Sequence, residues 1–253
     1  MNKEELLIYL QNEEVKSFSG WDFSYLDGRW ESEVLPWDYK SLIKTYLKKE
    51  YKLLDIGTGG GEFLLTLNHP YENTSITEGY LPNYLICEKK LKPLGIKVYN
   101  YVGDEKLLLI NDNTFDMVIN RHESYDEEEV YRILKPGGMF ITQQVGAYNN
   151  KHLATFFDEN HIDQFPELTL DKSVQRLVDK KFTIIYSNES FPTLKFYDLG
   201  AIAYFAKIIS WEFLNFNVKD SIDKFLILQD ELNNKGYISS KEHRFIIVAK
   251  KGK

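Results

Sequence analysis

The chain has 253 residues, 43% of them apolar and 15% aromatic, with a net charge of −7 and one cysteine, which is room for one large domain or a domain with a small cap. Net acidity disfavours an extended nucleic-acid footprint, and no apolar run reaches the roughly 18 residues of a membrane span. Cys87 has no partner for a disulfide within the chain, and no apolar signal segment follows Met1, so the expected location is the cytoplasm.

Residues 2–16 read as an amphipathic helix with Asn2 as cap and Glu5 three positions on. The aromatic stretch from Ser19 to Trp30 has no clean period and reads as loop. Asp38 then caps a helix whose apolar face is Leu42, Ile43, Tyr46 and Leu47. A strand–helix alternation follows. Its strands are expected at 52–56, 74–78, 97–101, 115–120, 139–145, 182–186 and 243–249, with helices at 61–68, around 84–91, after the Asp126 cap, and at 170–180. Glu127, Glu128 and Glu129 occupy the first turn behind Asp126, as the helix dipole prefers. Strands alternating with helices predict an α/β fold, a doubly wound, mostly parallel seven-stranded sheet.

Two parts stand outside the alternation. One is the aromatic N-terminus; the other is 189–240, where Phe191, Phe196, Tyr197, Tyr204, Phe205, Trp211 and Phe213 fall on segments that read as helical, the first capped by Asp198. The expected division is an N-terminal helix and aromatic cap over 1–40, a core over 41–188, a helical lid insertion over 189–240, and the last core strand over 241–253. Most of the insertion's aromatics are expected to form its own core, and the rest to line a pocket.

Leu53-Leu54-Asp55-Ile56-Gly57-Thr58-Gly59-Gly60-Gly61-Glu62 carries the most information. An apolar strand runs into a glycine-rich turn and a helix, a unit in which backbone can lie against a ligand. Dinucleotide sites use G-x-G-x-x-G facing a pyrophosphate, but here Glu62 stands at the third glycine. Asp55 and Glu62 would repel a diphosphate, so a cationic ligand fits better than a nicotinamide dinucleotide.

This Asp-x-Gly-x-Gly-x-Gly pattern resembles the first motif of the class I S-adenosylmethionine-dependent methyltransferases, most like the methyltransferase type 11 group. The resemblance covers about 50–145 and implies a Rossmann-like methyltransferase fold with S-adenosylmethionine as cofactor. It implies cofactor contacts from Asp55, Gly57, Thr58, Gly59 and Gly61, and from Glu78 at the end of the second strand, where a carboxylate can accept from both ribose hydroxyls. Gly79 and Tyr80 form the short turn that follows, and Asp104 and Glu105 stand where the family meets the adenine amine. Leu107-Leu108-Leu109-Ile110 lacks the proline of the family's run at that point. Leu134-Lys135-Pro136-Gly137-Gly138 before the fifth strand is a fold marker without chemistry of its own.

Asn120-Arg121-His122-Glu123 follows the fourth strand, where the family's cofactor sulfonium and acceptor meet. Asn120 is expected at the cofactor, and Arg121, His122 and Glu123 at the acceptor. A general base is needed only where the acceptor atom must lose a proton, and His122 is then the candidate. Trp21, Arg29, Trp37 and Tyr39 are expected on the inner face of the cap, with Arg29 suited to a carboxylate. Gln143 and Gln144 alternate along one strand, so at most one is expected to face the ligand crevice. No Cys/His spacing marks a metal site. The expected activity is methyl transfer to a small molecule enclosed by the cap and the insertion. The alternatives are an RNA base methyltransferase, which the negative charge disfavours, and a cofactor-binding protein without catalysis.

Overall fold

The computed structural model describes residues 1–18, 21–101 and 110–252. The chain forms two units. The first comprises Met1–Leu35, Gly146–Pro166 and Ser190–Arg244; the second comprises Pro36–Val145, Glu167–Glu189 and Phe245–Lys253.

The second unit is the doubly wound α/β part. Its strands, numbered along the whole chain, are β2 (Leu53–Ile56), β3 (Thr74–Glu78), β4 (Lys97–Asn100), β5 (Phe115–Arg121), β6 (Leu134–Val145), β7 (Phe182–Ser190) and β10 (Arg244–Lys251). They form a seven-stranded sheet in the order β4-β3-β2-β5-β6-β10-β7. The pairs β2/β3, β3/β4, β2/β5 and β5/β6 are parallel. Its helices are α2 (Tyr39–Tyr46), α3 (Glu62–Leu65), α4 (Leu81–Lys90), α5 (Glu127–Ile133) and α7 (Leu170–Asp179). Central strands buried on both faces explain the near-continuous apolar runs of β5 and β10. The Asp38 and Asp126 caps form as expected, accepting from the Ser41 and Glu129 amides at 2.7 and 2.8 Å. The chain leaves β2 toward β3 and β4, then crosses back to place β5 on the other side of β2. That reversal makes the carboxyl end of β2 the topological switch point of the sheet, where ligands bind in this architecture.

The first unit contains α1 (Lys3–Glu14), β1 (Trp30–Ser32), α6 (Lys151–Phe157), β8 (Thr193–Phe196), α8 (Leu199–Ile208), α9 (Ile222–Lys235) and β9 (Ile238–Lys241). Asn2 and Glu5 form a reciprocal capping box on α1, and Asp198 caps α8 by accepting from the Ala201 amide at 2.7 Å. The segment expected to be helical therefore contains two strands, β8 and β9. With β1 they make a three-stranded antiparallel sheet, Trp30 opposite Phe196 and Phe196 opposite Ile238. The aromatics pack into this unit's own core. Phe23 stacks on Trp30 at 5.6 Å, and Phe196, Phe205 and Phe213 are buried together. Residues 146–166, read from sequence as core, belong to this unit. Among the described residues, no helix is long and apolar enough to cross a membrane.

Candidate active site

The glycine-rich turn joins β2 to α3. Gly57 and Gly59 adopt left-handed backbone angles, φ 68° and 64°, which side chains with a Cβ rarely take. Gly57 is also a close-approach position: a Cβ there would lie 2.3 Å from Glu123 Cγ, so its absence lets the Glu123 side chain rest on the loop. At Gly59 a Cβ would meet nothing within 4 Å, so the loop offers bare backbone and open space at that point. Helix α3 is one turn long, shorter than the sequence pattern suggested, and Gly61 stands immediately before it.

Four acidic side chains lie on or beside this turn. Asp55, 5% exposed, accepts from Thr58 Oγ1 at 2.6 Å. Burial pushes the Asp55 carboxyl up to about 7; the Thr58 hydroxyl and Arg121 oppose the rise, and Glu78 adds to it. Glu78, 4% exposed, ends β3 and reaches across to the turn. Its two oxygens accept from the Gly59 and Tyr80 amides at 2.8 and 2.9 Å. Burial raises the Glu78 carboxyl above its usual range; these amides pull it down and Glu123 pushes it up. Each carboxylate oxygen has two lone pairs, so Glu78 retains acceptor capacity for a ligand's hydroxyls after holding both amides. Glu62 differs from the expectation: its carboxylate pairs with Lys90 at 2.5 Å. Asp55, Glu78 and Glu123 remain as the carboxylates grouped beside the loop. Cys87 backs the turn, its thiol donating to the Gly59 carbonyl at 3.1 Å.

The end of β5 is built from side chains that hold one another. Asn120 is fully buried; it donates to the Ile56 carbonyl at 3.2 Å and accepts from Thr142 Oγ1 and Gln144 Nε2 at 2.9 and 2.6 Å. This ties β2, β5 and β6 together beneath the loop. The Arg121 guanidinium stacks over the Phe63 ring at 4.5 Å. His122 is exposed and left-handed, φ 62°, a conformation that for such a residue marks local strain. Its amide donates to the Gln143 carbonyl at 2.9 Å. Gln143 and Gln144 both reach this end of the sheet. Gln144 donates to Asn120, Thr142 and the Glu123 carbonyl, while Gln143 meets Trp37 and His122.

Of the residues expected at the acceptor, Trp37 and Tyr39 are buried in the second unit. Trp37 Nε1 donates to Gln143 Oε1 at 2.8 Å, and the Tyr39 hydroxyl donates to the Asn120 carbonyl at 2.9 Å. Burial raises the Tyr39 hydroxyl well above its usual range. Trp21 and Arg29 lie in the first unit. Trp21 is half exposed and packs edge-on against Phe18 and Trp211. The Arg29 fork is taken by Asp198 at 2.6 and 2.8 Å, and Glu13 accepts from it at 2.9 Å. Asp104 and Glu105 lie outside the described residues. Gln143 and Trp37 form a pair that sequence reasoning missed; Gln-Gln on a strand signals only that the two side chains alternate.

A cationic cofactor carrying a ribose fits this donor and acceptor set, and a pyrophosphate does not. Asp55, Glu78 and Glu123 surround a bare glycine turn, with Arg121 as their nearby guanidinium. Among the described residues, no group of His, Cys, Asp and Glu has the arrangement to hold a metal ion.

No family model matches the chain. The ubiquinone/menaquinone biosynthesis C-methyltransferase UbiE of Desulfotalea psychrophila is 30% identical over 97 residues, 36% of this chain and 39% of that protein. The chain thus spans about two fifths of the curated relative it matches. Among solved structures, a candidate methyltransferase from Bacillus halodurans superposes with a TM-score of 0.55 at 15% identity, over 85% of this chain and 99% of that one. An S-adenosylmethionine-dependent methyltransferase from Methanosarcina mazei gives 0.50 at 19% identity, over 87% and 99%. Sheet order and these likenesses agree on the fold: the chain has the same α/β architecture as these solved methyltransferase structures.

Proposed function

We propose that the protein is an S-adenosylmethionine-dependent methyltransferase acting on a small-molecule acceptor. The carrying observation is the set of Asp55, Glu78 and Glu123 around a left-handed glycine turn at the switch point, two of them pushed up by burial. A positive charge beside them relieves that burial cost, as a sulfonium and an amino group would. The UbiE likeness supports the same reading.

The bound cofactor supplies an activated methyl group with its own leaving group. The protein's part is then to position and to exclude water. Glu78 accepts the ribose hydroxyls while its amide bonds hold the turn in shape. Asp55 and Thr58 set the acidic floor, and Gly59 leaves space where a side chain would intrude. Arg121, His122 and Glu123, exposed at the end of β5, are the side chains offered to the acceptor.

Titration calorimetry with S-adenosylmethionine, S-adenosylhomocysteine and NAD tests the cofactor. Micromolar binding of both sulfur compounds with NAD silent is expected; the reverse selectivity overturns the reading. An acceptor screen that follows S-adenosylhomocysteine release then tests the acceptor class, and release driven by RNA alone would overturn the small-molecule part.

A further inference from the structure

The bond between Gln143 and His122 is directional, and Trp37 sets its direction. An indole N–H only donates. Trp37 Nε1 lies 2.8 Å from Gln143 Oε1, so the carbonyl oxygen of that amide is pinned toward the indole. The opposite orientation would put two donors face to face inside a buried pair: Trp37 is 9% and Gln143 7% exposed. The amide nitrogen of Gln143 must then point the other way, and it lies 3.2 Å from His122 Nε2. An amide NH2 also only donates, so the ring nitrogen it meets has to offer a lone pair. The backbone locks the approach from the same side, because the His122 amide donates to the Gln143 carbonyl and Arg121 is paired with Gln143 across β5 and β6.

We infer that Gln143 is a positioning residue that holds His122 as its Nδ1–H tautomer, with Nε2 as a hydrogen-bond acceptor. The proton of the ring then sits on Nδ1. Nε2 takes up the ring's second proton only by giving up Gln143 and turning one donor against another. This rests on the methyltransferase reading for its consequence alone: methyl transfer does not use His122 Nε2 as the general base, and with the proton on Nδ1 that removes the base role that the sequence suggested for His122.

The test is nitrogen-15 NMR of the cofactor-free protein at a pH above the imidazole titration. His122 is assigned by the signals missing in H122A. The expected wild-type pattern is a pyridine-type resonance at Nε2 and a pyrrole-type resonance at Nδ1. In Q143E one carboxylate oxygen accepts from Trp37 and the other faces the ring, so the two resonance types should exchange places. In W37F the amide is no longer keyed, and both tautomers should appear. A wild-type spectrum with the proton on Nε2 overturns the inference without any variant. An unchanged Q143E spectrum overturns the role of Gln143, and should Q143E fail to fold, an unchanged W37F spectrum overturns the keying. None of these spectra depends on cofactor binding, so failure here is distinct from failure of the calorimetry above.

Discussion

Two clusters of carboxylates with an arginine, one taken from each unit, have opposite characters. In the first unit, Arg29 forks onto Asp198 and reaches Glu13. Burial alone would raise the Asp198 carboxyl, but the Arg29 fork and the Ala201 amide hold it below its usual range, and the same bonds, Asp198 foremost, raise Arg29. That cluster is closed: its charges answer one another. In the second unit, Arg121 lies over the face of Phe63, and among the described residues no guanidinium forks onto Asp55 or Glu78. Those carboxyls are raised by burial. The same residue types make a structural strut in one place and a site suited to a cationic ligand in the other. What separates them is whether the counter-charge is supplied by the chain.

The comparison is broken most sharply at Glu78. E78A should weaken S-adenosylmethionine binding by about 2–4 kcal/mol, or roughly 30- to 1000-fold, because it removes ribose acceptors and frees the Gly59 and Tyr80 amides. Unchanged affinity in calorimetry would take Glu78 out of the cofactor site. Arg29 should behave in the opposite sense. R29M strands two partly buried carboxylates and should cost about 1–3 kcal/mol in urea unfolding while leaving cofactor affinity within a few-fold. A large affinity loss with normal stability would show that the fork is not merely a strut.

The third effect is a pH dependence. The Asp55 carboxyl is pushed up to about 7 from an ordinary 3.8, so between these values the folded protein keeps a proton that the unfolded chain has released. Its contribution to stability therefore falls as pH rises through that window. A cationic cofactor favours the ionised form. Affinity should accordingly rise by up to about tenfold per pH unit below 7 and level off above it. D55N should flatten that profile, and a wild-type profile that is already flat would detach Asp55 from the ligand. The smallest effect is expected at Gly59. G59A meets no atom within 4 Å, so only its left-handed backbone is penalised, by about 1 kcal/mol of stability. An affinity loss beyond that would place the ligand in the space beside Gly59, whereas unaltered affinity would place it elsewhere.

Much of the second unit was legible in the sequence because its signals are local. There Asp38 and Asp126 each cap the helix they were expected to cap, as Asn2 and Asp198 do in the first unit, since a cap needs only the next three residues. The strand–helix alternation likewise predicted the seven strands of the main sheet. The first unit was less legible. Its strands β1, β8 and β9 are three or four residues long, and Trp30 meets Phe196 from far along the chain. Short strands of mixed polarity carry almost no period of their own, so the stretch ending at Trp30 reads as loop and 189–240 reads as helical.

At the candidate site, the sequence by itself determined the turn and its chemistry: glycines where the backbone must be left-handed, Asp55 ahead of them, and an acidic residue ending the next strand. These follow from residue type at fixed spacing. Only the tertiary structure decided which charges are answered and which are not. Glu62 turned to Lys90, Arg29 to Asp198, and Glu123 onto Gly57, while Trp37 and Gln143 came together beside His122. Each of these depends on a partner brought in by folding, and a side chain's protonation, tautomer and availability are set by what stands next to it in space.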